Sequence, residues 1–135
     1  MSNTVRLATA RKTARANLMI TWCDAATLAL YDAPVPADAD TAISTQTKLA
    51  EFTLPTTPSG TVTDGVFALA SGTDPAVILA TGTPAFGRMS DSAGVVISDC
   101  DDIGLTDSGA AIEIDTLSLV AGAMLTLSRY EHSEG

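Results

Sequence analysis

Carboxylates are the residues of this chain spaced most closely for chemistry. The stretch SDCDDIGLTDSG, residues 98–109, holds Asp99, Asp101, Asp102 and Asp107. Calcium accepts about six to eight oxygen ligands, so these four are candidate metal ligands. The EF-hand order is not met, because Ile103 stands at a ligand position and no Glu closes the loop. The plainer reading makes them solvated loop acids. A second pair, Glu113 and Asp115, lies two residues apart in AIEIDTLSL, on one face of an expected strand. Paired carboxylates can run glycoside hydrolysis. That chemistry needs a cleft with aromatic sugar platforms, and aromatics are only 4% of this chain. The solvent face of a sheet is the expected home of both acids.

Other reactive side chains are sparse. The single histidine, His132, sits in RYEHSEG at the C-terminal end, an expected frayed tail and a poor place to hold a base. Cys23 and Cys100 match no metal spacing and read as buried thiols. No Gly-x-Ser-x-Gly, Walker or dinucleotide pattern occurs. Arg88 and Arg129, the basic residues of the second half, are expected to pair with an acid on the sheet or across an interface. The expectation is therefore a protein without catalytic residues or cofactor.

Charge is segregated along the chain. Arg6, Arg11, Lys12 and Arg15 precede the first acid, Asp24, while the net charge is −9. The acidic body disfavours nucleic acid, whose binding needs clustered Lys and Arg. The basic arm, four charges without interleaved aromatics, makes a weak case for phosphate and can equally dock on an acidic neighbouring subunit. No apolar run reaches the roughly 20 residues of a membrane span, and the N-terminus lacks the order of a signal peptide, so synthesis in a cytoplasm is expected.

These residues need elements to position them. Leu7, Ala10, Ala14, Leu18 and Trp22 recur at helical spacing and predict a helix over 4–22, with Ser2 or Asn3 as its cap. Trp22 is expected to anchor that helix to the body or to a partner. After it the period becomes two. TLALYDA (27–33), KLAEFTLP (48–55), GVFALA (65–70), AVILA (76–80), AIEIDTLSL (111–119) and MLTLSRY (124–130) read as strands, the last two flanking a VAGA turn. PVPADADTAI reads as a surface loop. In ATGTPAFGRMSDSAGVVISD, residues 80–99, a strand, a Ser/Asp/Gly turn and a returning VVIS strand account for every residue type. Seven or eight strands without intervening helices predict a mainly β fold: an antiparallel β-sandwich, jelly-roll-like, with one N-terminal α-helix. The expected organisation is a helical arm over 1–24, a β-sandwich domain over 25–131 and a flexible tail over 132–135.

The order of these segments resembles a family of small tailed-bacteriophage virion proteins. In that family a helix precedes a strand ending in Tyr-Asp/Thr-Gly-Pro-x-Pro. Tyr31, Asp32, Pro34 and Pro36 match, with Ala33 in place of the Gly. Leu49, Ala50, Glu51, Leu54 and Pro55 match a Leu-Ala-Glu-x-x-Leu-Pro strand. Residues 80–83, Phe86, Arg88, Asp91 and Gly94 match an Ala-Thr-Gly-Thr hairpin with Asp-x-x-Gly. The resemblance covers most of residues 10–128 and consists of turn and strand residues. It implies a structural role in the virion, most directly a capsid decoration or cement protein on the capsid exterior. The implied partners are the major capsid protein or other virion proteins and further copies of the chain, as a dimer or trimer. Leu7, Arg11, Arg15, Leu18, Trp22 and Arg88 are the expected interface residues. A collar, tail or fibre-base protein and, from another class, a carbohydrate-binding β-sandwich remain alternatives.

Overall fold

The computed structural model describes residues 8–54, 60–63, 66–69 and 74–133. The expected caps Ser2 and Asn3, the interface candidate Leu7 and Pro55 lie outside the described residues. The described chain is mainly β, with one short helix and several antiparallel sheets. Helix α1 spans Thr9–Trp22. Strands follow at β1 (Thr27–Tyr31), β2 (Lys48–Thr53), β3 (Gly60–Thr63), β4 (Val66–Leu69), β5 (Ala76–Val77), β6 (Phe86–Ser90), β7 (Val96–Cys100), β8 (Ile103–Leu105), β9 (Ile112–Ile114), β10 (Met124–Leu125) and β11 (Leu127–Ser133). Among the described residues no helix is long and apolar enough to cross a membrane.

Four strands form one sheet in the order β2-β1-β6-β7, and five form another in the order β3-β4-β11-β9-β8. β5 and β10 make a separate short pair. Among the described residues every strand pairing is antiparallel except β8 with β9, which is parallel. That exception departs from the all-antiparallel expectation. The 106–111 connection, whose 107–109 turn is held on Glu113 of β9, brings the chain back to run in the same direction as β8.

One core joins the sheets. Leu28, Leu30, Phe52 and Met89 of the first sheet cluster with Ile112, Ile114, Leu127 and Tyr130 of the second. Gly87 in β6 lies under Ile112 of the other sheet. A Cβ there would stand 2.9 Å from Ile112 Cδ1, 3.1 Å from Leu28 Cδ1 and 3.2 Å from Leu30 Cδ2. The missing side chain admits Ile112 from the facing sheet. A polar link adds to this: the buried Tyr130 hydroxyl of β11 is hydrogen-bonded with the Ser98 side chain of β7.

Several expected strands are shorter than their sequence pattern. AVILA contributes only Ala76 and Val77; Ile78 is buried while Val77 and Leu79 are exposed, so the run alternates rather than being buried throughout. AIEIDTLSL stops as a strand at Ile114; beyond it Asp115 is tied to Thr126 twice, its N–H donating to the Thr126 carbonyl at 3.3 Å and its Oδ1 accepting the Thr126 N–H at 3.0 Å. β8 lies inside the acidic stretch and was not expected there. β11 continues through His132 and Ser133, two residues into the expected tail.

The hairpin expected in residues 80–99 is present, with β6 and β7 paired from Gly87 opposite Cys100 to Ser90 opposite Val96. Asp91 builds its turn. Its Oδ1 accepts the N–H groups of Ala93 at 3.0 Å and Val95 at 2.9 Å. Gly94 takes a φ of +86°, which a side chain would resist.

Candidate functional site

Within the 98–109 stretch the carboxylates of Asp99 and Asp102 act as structural acceptors, while Asp107 is engaged through its backbone N–H. Asp99 receives Arg88: Nε donates to Oδ1 at 2.7 Å and Nη2 to Oδ2 at 2.8 Å. Asp102 Oδ2 accepts the Ala111 N–H at 3.0 Å. Asp107 sits at φ +67°, and its N–H donates to Glu113 Oε1 at 3.2 Å. Among the described residues no group of three or more His, Cys, Asp or Glu converges as a metal site. The four candidate ligands are thus not brought together. Asp99 pairs with Arg88 across two strands, Asp102 fastens the chain at Ala111, and the 107–109 turn is held by Glu113, so the acids serve separate places.

Glu113 departs from its expected place. It is 4% exposed, not on a solvent face. Its two oxygens hold the 107–109 turn, accepting the Asp107 N–H and, at 2.8 Å, the Gly109 N–H. Arg129 Nη1 approaches it at 3.6 Å and also pairs with Glu131. The turn folds over the strand and covers the carboxylate. Asp115, its supposed partner, is exposed and engaged elsewhere, so the two carboxylates do not flank a common space.

Arg88 also departs from the expectation of an interface side chain. It is 6% exposed, and besides Asp99 it reaches the Asp38 carbonyl at 3.5 Å. The hydrogen bonds to Asp99 hold the guanidinium above its ordinary value. Its charge is spent within the chain, on the cross-strand neighbour that the β6–β7 register supplies. Burial pushes the Cys23 thiol up to about 11 and raises that of Cys100, which is only partly buried; both are free thiols.

The surface with unsatisfied apolar area lies on α1 and the hairpin. α1 rests against β3 and β4. Its stripe of Ala10, Ala14, Leu18 and Trp22 nevertheless faces out: both alanines are exposed, Leu18 is 46% exposed and Trp22 44%. Helical spacing finds the stripe but does not say which face turns inward. At its C-terminal end the stripe runs into a cleft of about 250 Å³ lined by Trp22, Asp91, Val95, Val96 and Ile97. Val95 is 63% exposed. Arg11 and Arg15 flank the stripe on the exposed side of the helix. Of the expected interface residues, then, Arg11, Arg15, Leu18 and Trp22 share one surface, while Arg88 stands apart from it. Val95 and Val96 were missed as surface residues. Val95 lies in the turn just before β7 and Val96 opens the strand, and alternation alone would turn only one of two such neighbours outward.

No protein-family model, no curated protein and no solved structure matches this chain.

Proposed function

We propose that this chain is a non-enzymatic structural component of a tailed-bacteriophage virion, a capsid decoration or cement protein that binds the shell from outside. The two sheets act as the layers of a β-sandwich, a rigid brick that presents α1 and the β6–β7 hairpin to a neighbour. The observation that carries this reading is the exposed apolar stripe from Ala10 to Trp22, continuous with the Val95–Val96 cleft. Fully burying a Leu or Val side chain contributes about 1.5–3 kcal/mol, and these half-exposed ones contribute a part of that each, so several together supply useful affinity. The basic residues beside the stripe set orientation against an acidic neighbour. The turn and strand residues shared with the virion family supply the link to a particle.

The engaged carboxylates support the same reading. Asp99 and Glu113 are occupied in holding strands and turns. The test is a quantitative mass-spectrometric inventory of purified particles. A copy number on the scale of the capsid lattice supports the decoration role. A handful of copies moves the protein to the neck or tail, and its absence from the particle ends the proposal.

A further inference from the structure

Helix α1 is charged against its own dipole. Its first turn holds no acid and its last turn no base. Arg11 and Lys12 lie near its N-terminal end, and Asp24 follows its C-terminal end. A helix N-terminus carries about half a positive charge and the C-terminus the opposite, so both ends are placed unfavourably.

The exposed stripe is also graded by size. It runs from Ala10 and Ala14 to Leu18 and Trp22, one turn apart over roughly 18 Å. Turned end for end, such a stripe is its own complement. Trp22 then meets the second copy's Ala10, and Leu18 meets the second copy's Ala14. Small against large at each level lets two helices approach to about 8–10 Å. The same rotation carries Arg11 toward the second copy's Asp91, which lines the cleft beside Trp22. Each basic helix start then lies against an acidic helix end. Two-fold, self-complementary contacts are the commonest way for identical chains to associate.

We propose that the Ala10–Trp22 face of α1, with the cleft between Trp22 and the β6–β7 hairpin, docks a second copy of this chain, the two α1 helices running antiparallel about a two-fold axis. The proposal rests on reading this face as a contact surface and makes its occupant a second copy, so that the particle is bound by the pair and loss of the pair loosens the particle.

Sedimentation of the purified full-length chain over a range of concentrations tests it. The wild type is expected to dimerise, and added salt to weaken the dimer. Ala10→Trp sets two large rings against each other and is expected to weaken association at least about tenfold, as is Trp22→Ala. The combined Ala10→Trp/Trp22→Ala chain, with its gradient reversed, is expected to regain the dimer. Circular dichroism and melting of each variant check that the fold is intact. A wild type that stays monomeric overturns the proposal, as does Ala10→Trp tightening association or the double variant failing to recover while folded. Binding to particles is read separately. A monomer that still binds particles removes the dimer and leaves the contact surface. A dimer that ignores particles does the reverse.

Discussion

Arg88 and Asp99 face each other across β6 and β7, and the guanidinium holds both carboxylate oxygens, at 2.7 and 2.8 Å. Planar two-point pairing of this kind is the strong form of an ion pair. The same guanidinium reaches the Asp38 carbonyl, so one side chain ties the 33–47 loop to the hairpin. The only basic residue between Lys48 and Arg129 therefore works as a fastener inside the chain.

Breaking this pair from one side leaves a charge in a mostly buried position. Arg88→Met is expected to destabilise the protein by about 1–3 kcal/mol, and Asp99→Asn by a similar amount. Replacing both with apolar residues of similar size is expected to cost less than the two single changes summed. Urea unfolding of the three variants measures this. Full additivity contradicts the coupling.

Gly87 is required by the close approach of the sheets. Gly87→Ala puts a methyl 2.9 Å from Ile112 Cδ1, between fully buried side chains, and is expected to cost about 1–3 kcal/mol. Ile112→Val removes that Cδ1 and is expected to rescue part of the loss. A double-mutant cycle on melting temperature reads the rescue, and its absence contradicts this packing.

Glu113 is expected to behave as a structural carboxylate. Glu113→Ala frees the N–H groups of Asp107 and Gly109 and should cost about 1–3 kcal/mol. Hydrogen exchange should accelerate first at those two amides. Uniform exchange with unchanged protection at 107 and 109 contradicts the assignment.

Alkaline pH should loosen the core in a defined window. Burial pushes Cys23 up from 9.0 to about 11 and Tyr130 from 10.0 to about 12. In the unfolded chain both lose their protons earlier, so the folded state binds more protons between those values and stability falls as pH rises. The contribution is complete below about pH 9 and lost by about pH 12, on the order of 2 kcal/mol for each group. Chemical denaturation across this range checks the slope, and Tyr130→Phe should flatten its upper half. Stability that rises or stays level contradicts the burial of these groups.

Several of these features were legible in the sequence, and the reasons are local. Asp91, Gly94 and the flanking apolar residues announce the β6–β7 hairpin, because turn chemistry is written in adjacent positions. The helix was legible through its period, but the direction of its apolar face was not. That direction depends on β3 and β4, which lie far along the chain. Glu113 looked like a surface residue because alternation ignores a turn that folds back over its strand. The Arg88–Asp99 pair emerges only once the register of the hairpin is known. β8 escaped notice because Ile103 and Leu105 are too few to carry a pattern among so many acids.

The central claim is that this chain works by surface contact through α1 and the hairpin. The most direct measurement is the amount of chain retained by purified particles when Leu18→Glu replaces the wild type. A charge on the exposed stripe leaves the buried core untouched, so the variant should fold normally yet be lost from the particles. Retention of the folded variant at the wild-type level contradicts the claim.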